Sequence, residues 1–260
     1  MNIRFPRCFS ARRYPLSLCI DGLCDDAPQP VRTKWTLQIR LVFRFLVAVF
    51  LMAAMLFLPA GSLRFWQAWV YLALFLGSSL FRTLYFYRRD PRLLERRLQM
   101  KETALEQRLF KLLWRPLFVC ALLLPGFDYR FGWSRSYIGA VPLWLIWTSQ
   151  TLVCWSYLLV FQVLRVNSFA SGTVQVETGQ RVISTGPYAF VRHPMYSGFI
   201  VAVLFTPLAL GSYVALPVFA LLVPALVYRL VHEEKLLREQ LAGYADYCRH
   251  TRFRLVPCVL

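Results

Sequence analysis

The sequence lacks the short patterns that mark many soluble enzymes and metal sites. Its seven cysteines include no C-x-x-C pair, and Cys120 and Cys154 lie inside apolar stretches, which excludes a zinc ribbon and a disulfide framework. Its twelve glycines include no G-x-G pair, so the fingerprint of a Rossmann-type cofactor domain is missing. The three histidines lack the sequence context of metal ligands, so we expect no metal site.

The chain is rich in apolar and basic residues. Hydrophobic residues make up 58% of the 260 positions and aromatic residues 16%, while 30 Lys and Arg face only 13 Asp and Glu, giving a formal net charge of +17. This composition excludes a disordered or collagen-like chain. A soluble basic domain does not carry so much apolar surface, so the charge must be separated along the chain from segments that lie in a bilayer.

The apolar stretches predict an all-α, multi-pass transmembrane bundle with about five or six spans. About 20 apolar residues are needed to cross a bilayer. The third stretch contains Arg115 and Pro116 and could be re-entrant, whereas the last is nearly twice the required length and has Gly211 and Ser212 near its middle, which indicates a helical hairpin. The stretches cover residues 41–60, 65–86, 112–127, 137–164 and 195–230.

The polar segments between them define the domain organisation. Residues 1–38 form a basic arm that we expect to be disordered, and residues 39–164 hold the N-terminal spans. Within residues 39–164 we predict an amphipathic surface helix over residues 90–111, which Pro91 can start and Asp90 can cap. Residues 165–260 form the third region, with the hairpin and a C-terminal tail.

The basic residues predict the orientation of the bundle. With six crossings, 24 of the 30 Lys and Arg fall on the side that holds both termini, against three on the other side. The positive-inside rule then makes both termini cytoplasmic, in the inner or plasma membrane of a bacterium or the endoplasmic reticulum of a eukaryote. Because no nucleic-acid-binding module is present, we expect anionic lipid headgroups to be the partners of this charge.

Two cytoplasmic segments carry more special residues than a loop needs. The first contains Gly186-Pro187-Tyr188 and then Arg192-His193-Pro194-Met195-Tyr196-Ser197-Gly198. Its glycine and prolines predict a tight turn and a rigid elbow, because Pro194 can open a helix without losing a hydrogen bond. In the second segment Arg229 and Glu233 are four residues apart and share a helix face, with Glu234, Gly243-Tyr244 and Tyr247 following. Taken alone, each segment has an ordinary explanation, because an Arg and a Glu four residues apart on a helix commonly form a salt bridge and basic residues beside a span commonly set the membrane topology.

Together the two segments resemble the isoprenylcysteine carboxyl methyltransferase family and its membrane relatives, which include phospholipid N-methyltransferases and small-thiol S-methyltransferases. The resemblance covers residues 167–257. It implies that S-adenosylmethionine binds in a cytoplasmic pocket built from the 165–196 segment and the C-terminal helix, and that Arg229 faces the substrate. The stretch from Glu233 to Gly243 is one residue longer than in the eukaryotic enzymes, which leaves Glu233 and Glu234 as alternatives. The four-residue spacing from Arg229 favours Glu233. The residues that the resemblance assigns to the cofactor are Gln175, Gln180, Arg181, Val182, Ile183, Tyr188, His193, Pro194, Met195, Tyr196, Glu233 and Glu234.

The resemblance implies an acceptor that is lipophilic and enters from the bilayer, and the C-terminal carboxylate of an isoprenylcysteine is the leading candidate. A small thiol or a phospholipid amine is the alternative, because the shared motifs serve the cofactor and not the acceptor. A non-catalytic membrane protein that kept the fold is a third hypothesis, in which Arg229 and Glu233 merely pair. The sequence does not predict the oligomeric state.

Overall fold

A computed structural model describes residues 34–91, 93–95, 105–167, 169 and 180–256, and the regular elements in these ranges are helices. Residues 91 and 93–95 are also helical. The elements are α1 (Lys34–Ala60), α2 (Trp66–Arg89), α3 (Leu105–Phe131), α4 (Trp133–Tyr137), α5 (Leu143–Val166), a 3-10 helix (Gly186–Ala189), α6 (Pro194–Ala209), α7 (Leu216–Ala220), α8 (Leu222–Gln240) and α9 (Tyr244–His250).

The described helices confirm the multi-pass bundle. Four segments are long and apolar enough to cross a membrane, and α6 is a shorter apolar helix of 16 residues. The helix α3 is not among the four, and it carries Arg115, Pro116 and Pro125 along its length. The four segments are Leu37–Ala60, Trp66–Arg89, Leu143–Val166 and Leu216–Gln240.

The predicted arm and surface helix need correction at their boundaries. The arm was expected to reach residue 38, but α1 begins at Lys34, and residues 1–33 lie outside the described part of the chain. Asp90 caps the predicted surface helix as expected, because its Oδ1 accepts a hydrogen bond from the Leu93 amide at 3.2 Å. Residues 105–111, however, form the first turns of α3, so they continue into the third apolar stretch. Residues 92 and 96–104 are not described.

Close approach of helix backbones determines the packing. The most extensive helix pairs are α5 with α6 and α1 with α3. A Cβ at Gly198 on α6 would lie 3.2 Å from the Ser156 carbonyl oxygen on α5, and one at Gly126 on α3 would lie 2.7 Å from the Leu56 carbonyl oxygen on α1. Small residues let membrane helices approach this closely. Gly198, the last residue of the elbow motif, therefore fixes how the start of α6 lies against α5.

A buried carboxylate fixes the hairpin turn at the end of the bundle away from the elbow. The turn between α6 and α7 contains Ser212, whose hydroxyl donates to the carboxylate of Asp128 on α3. Ser134 also donates to this carboxylate, through its hydroxyl and through its amide at 2.7 Å. Asp128 is only 4% exposed, so these donors replace the water it has lost. The network holds the turn at Gly211 and Ser212, between α6, which ends at Ala209, and α7, which begins at Leu216.

Candidate functional site

The elbow of residues 180–196 is built by a short 3-10 helix and a proline-initiated α-helix. Gly186 has φ +62°, and a Cβ there would lie 3.0 Å from a Val166 methyl group at the end of α5, so a side chain at this position would meet both strain and a clash. Pro194 occupies the first turn of α6, and His193 precedes it as the N-terminal flanking residue. The elbow therefore turns sharply against α5 before the chain enters α6.

Two tyrosines hold the elbow in this shape. The Asn167 side chain donates to the Tyr188 hydroxyl at 2.9 Å, and the Tyr247 hydroxyl donates to the Tyr188 carbonyl oxygen at 2.7 Å. Burial raises the pKa of Tyr188 to about 12 and that of Tyr247 to about 12. Both phenols therefore stay neutral at physiological pH, and α9 is tied to the elbow by a neutral hydrogen bond.

Glu234 is the centre of a buried ion-pair cluster behind the elbow. It is 4% exposed, and its Oε1 lies 2.6 Å from Nη1 of Arg192 and 2.7 Å from Nη2 of Arg238. Its Oε2 lies 2.9 Å from Nε of Arg254 and 3.5 Å from Nε2 of His193. One carboxylate thus joins the elbow, the helix α8 and the C-terminal segment, and its oxygens are fully occupied by the protein.

The C-terminal segment is joined to the elbow by backbone hydrogen bonds as well. The Arg192 amide donates to the Phe253 carbonyl oxygen at 2.9 Å, and the His193 amide donates to the Arg254 carbonyl oxygen at 3.0 Å. These bonds satisfy the two amides that immediately precede α6. The polypeptide after α9 therefore forms part of the structure that supports the elbow.

A pocket lies between the elbow, α8 and α9, and we call it the elbow pocket. Its cavity volume is about 80 Å³. Phe169 and Gln180, the described residues on either side of 170–179, both line it. Its lining consists of Asn167, Phe169, Gln180, Arg181, Val182, Ile183, Tyr188, Arg192, His193, Pro194, Met195, Tyr196, Glu233, Leu236, Leu237, Leu241, Tyr244 and Tyr247.

A second, larger cavity lies among the membrane helices, and we call it the bundle cavity. Its volume is about 470 Å³, and most of its lining is apolar. It draws residues from α1, α2, α3, α5, α6, α7 and α8. They are Met52, Tyr71, Phe75, Trp114, Arg115, Phe118, Tyr157, Met195, Tyr196, Phe199, Ala202, Val203, Thr206, Phe219, Leu226, Arg229 and Glu233.

The two cavities share the wall formed by Met195, Tyr196 and Glu233. The Tyr196 hydroxyl donates to Oε2 of Glu233 at 2.6 Å, and Arg229 interacts with the same hydroxyl. Arg229 lines the bundle cavity and not the elbow pocket. A carboxylate thus faces both cavities at their junction, and a guanidinium faces only the apolar one.

Most of the residues that the sequence assigned to a cofactor meet in the elbow pocket. Ten of the twelve line it, from Gln180 on the elbow to Glu233 on α8. Gln175 lies outside the described residues. Glu234 does not line the pocket, because it faces the arginine cluster instead. The geometry therefore separates the two adjacent glutamates, with Glu233 on the pocket side as the four-residue spacing from Arg229 favoured.

Several pocket residues were not among the predicted site residues. Leu236 and Leu237 follow Glu233 by three and four positions, so helical periodicity alone would have found them. Tyr244 and Tyr247 belong to a motif that the sequence had singled out without a role. Asn167 and Phe169 stand at the start of the segment that resembles the family, but the sequence assigned them no role. Within the described ranges, no group of three or more His, Cys, Asp or Glu could hold a metal ion.

The arrangement suits the transfer of a small group between a polar ligand and an apolar one. The elbow pocket offers a carboxylate and aromatic faces, and the bundle cavity offers a mostly apolar lining that includes Arg115 and Arg229. Comparison with known proteins gives a match over this part of the chain. The model of the isoprenylcysteine carboxyl methyltransferase (ICMT) family matches residues 145–239, which hold most of α5, the elbow, the hairpin and Glu233. Over these residues the chain is similar to the isoprenylcysteine carboxyl methyltransferase family.

Proposed function

We propose that this chain is an S-adenosylmethionine-dependent methyltransferase that binds its cofactor in the elbow pocket and a lipophilic acceptor in the bundle cavity. The observation that carries the proposal is the shared wall of Met195, Tyr196 and Glu233. Methyl transfer needs the donor and the acceptor to meet in line, and two cavities with one common wall supply that proximity. An apolar cavity among membrane helices suits an acceptor that arrives from the bilayer.

The residues of the elbow pocket fit the chemistry of the cofactor. S-adenosylmethionine carries an ammonium group, a sulfonium and ribose hydroxyls, which a carboxylate and aromatic rings can bind by ion pairing, hydrogen bonds and cation–π contact. The Glu233 carboxylate accepts the Tyr196 hydroxyl on Oε2 and lines the pocket, where it can meet a cationic ligand group. Tyr188, Tyr244 and Tyr247 supply the aromatic rings.

The protein's part in the reaction is to position the reactants and to exclude water. When bound, the cofactor supplies a methyl group activated by its sulfonium. Tyr196 holds Glu233 and Arg229 at the junction, and Arg229 orients the acceptor. A carboxylate acceptor is already ionised at pH 7, so no general base is required. The apolar lining of the bundle cavity keeps water from competing for the methyl group.

The acceptor that this site suits best is the C-terminal carboxylate of an isoprenylcysteine. Its prenyl chain matches the apolar lining, and its carboxylate can accept a two-pronged hydrogen bond from the Arg229 guanidinium. A neutral thiol would bring no charge for this guanidinium to bind. A phospholipid amine would bring a second cation to it. These two acceptors are therefore the alternatives that a direct assay must separate.

Purified protein in lipid nanodiscs tests the proposal with labelled S-adenosylmethionine and three acceptors: a prenylcysteine, phosphatidylethanolamine and a small thiol. We expect cofactor binding and transfer to the prenylcysteine. Absence of cofactor binding would reject the whole class, and transfer only to the amine or the thiol would reject the carboxylate. The non-catalytic alternative makes a separate prediction, namely that Glu233→Ala lowers thermal stability and leaves cofactor affinity unchanged.

A further inference from the structure

Arg115 is a cation in an apolar part of the molecule that the proposed reaction has not yet used. It lies on α3, between Trp114 and Pro116, and its side chain is exposed. Besides Arg229, three arginines interrupt the predicted apolar stretches, namely Arg44, Arg82 and Arg115. Arg44 interacts with another residue, and the Arg82 guanidinium carbon lies 5.9 Å from the centre of the Tyr157 ring. Among the described residues, Arg115 has no hydrogen-bond or ion-pair partner.

An unpaired guanidinium beside apolar surface is costly, and ionisable residues inside apolar segments of membrane proteins mark ligand pathways unless they reach the headgroups. Arg115 lines the bundle cavity together with Trp114 and Phe118 from the same helix. The unpaired guanidinium therefore lies at a cavity wall, where a ligand could compensate its charge.

Arg115 shares that cavity with Arg229. The two residues lie on α3 and α8, which pack against each other. Glu233 is the third charged residue of the lining, and its carboxylate already accepts the hydroxyl of Tyr196. The charged lining therefore carries one net positive charge. An anionic ligand group would balance it, whereas a neutral or cationic group would not.

We propose that Arg115 is a specificity-determining residue that binds the anionic group of the acceptor together with Arg229. This inference rests on the proposed function and narrows it, because it makes the acceptors anionic amphiphiles. Two guanidiniums from different helices hold a carboxylate more selectively than one, since each contributes a charge-assisted hydrogen bond in its own plane. Methylation removes the negative charge, so the ester product loses both interactions and leaves the cavity more readily than the acid.

Binding of an acid and its own methyl ester isolates this effect without any turnover. N-acetyl-S-farnesylcysteine and its methyl ester share the same tail, so the ratio of their Kd values reports on the charge alone. In wild-type protein in neutral phosphatidylcholine nanodiscs, we expect the acid to bind at least about tenfold more tightly than the ester. Arg115→Gln should reduce that ratio about tenfold, and Arg115→Lys should restore part of it. Arg44→Gln, a substitution in another apolar stretch outside the cavity, is the matched control and should leave the ratio unchanged.

Kinetics provide the second measurement. Arg115→Gln should raise KM for the acid about tenfold and leave kcat and the KM for S-adenosylmethionine within about twofold. An unchanged acid-to-ester ratio in Arg115→Gln would overturn the inference. So would a ratio that falls equally in Arg44→Gln, or one that depends only on added anionic lipid, because Arg115 would then serve as a headgroup anchor. If wild-type protein prefers the acid but transfers no methyl group, the proposed function fails while the anion site stands.

Discussion

Substitution by Gln should have different effects at the adjacent residues Glu233 and Glu234 of α8. At Glu234 it should lower the stability of the protein, and at Glu233 it should weaken cofactor binding. Glu234→Gln removes the charge that three arginines share at a position only 4% exposed, and leaves Arg192 without its buried counter-ion. Removing one partner of a buried ion pair costs about 3–5 kcal/mol. The side chains of Arg238 and Arg254 are 49% and 46% exposed, so water compensates them in part, and we expect a loss of about 3 kcal/mol.

Thermal unfolding in detergent measures this loss. For a chain of this size, about 3 kcal/mol corresponds to a Tm lower by roughly 6–12 °C. Glu239→Gln, on the exposed surface of the same helix, is the matched control and should change Tm by less than about 2 °C. If Glu234→Gln melted like the wild-type protein, or if Glu239→Gln fell as far, the assignment of Glu234 as the structural centre of the elbow would be wrong.

Three further predictions concern the pocket and the packing around it. Glu233→Gln should weaken S-adenosylmethionine binding at least about tenfold in calorimetry, because its carboxylate lines the elbow pocket, while Tm falls less than in Glu234→Gln, because Glu234 and not Glu233 is the centre of the arginine cluster. A normal Kd would refute its role. Burial raises the pKa of Tyr188 to about 12, above the value near 10 in an unfolded chain. The contribution of the neutral Tyr188 side chain to the stability of the fold is therefore complete below about pH 10 and is lost as the pH rises through 12. The fall of Tm between pH 9.5 and 11.5 should be shallower in Tyr188→Phe, and an identical slope would contradict this. Gly126→Ala brings a Cβ to 2.7 Å from the Leu56 carbonyl oxygen and should lower stability by about 1–3 kcal/mol, whereas Gly77→Ala, with open space around it, should not.

The multi-pass helical fold was predictable, because long apolar stretches in a sequence identify membrane helices. The hairpin broken at Gly211 and Ser212 and the cap at Asp90 follow from local signals, and both are present. The continuity of α3 through Pro116 was not predictable in the same way. Prolines are tolerated inside membrane helices because neighbouring helices can satisfy the freed backbone groups, and the sequence alone does not reveal those neighbours.

The sequence predicted the site residues that belong to local motifs or to one face of a helix, and it did not predict those that come together only in the fold. Ten elbow-pocket residues lie in two short segments that carry recognisable spacing. The role of Glu234 depends on Arg192 and Arg254, which are distant in sequence, so the helix pattern could not distinguish it from Glu233. The bundle cavity is assembled from residues on seven helices that are distant in sequence, and no linear pattern joins them. Arg115 was read only as an interruption of an apolar stretch, because its place at a cavity wall is visible only in three dimensions.

The central claim is that a cofactor pocket and an acceptor cavity meet at Met195, Tyr196 and Glu233. A single ligand that joins an adenosylhomocysteine group to a farnesylated chain through the sulfur tests it directly, because it can occupy both cavities only if they connect. The account predicts a Kd at least about 100-fold lower than that of the better half alone, since the second half binds at a high effective concentration. A joined ligand that binds no more tightly than its better half would contradict the account.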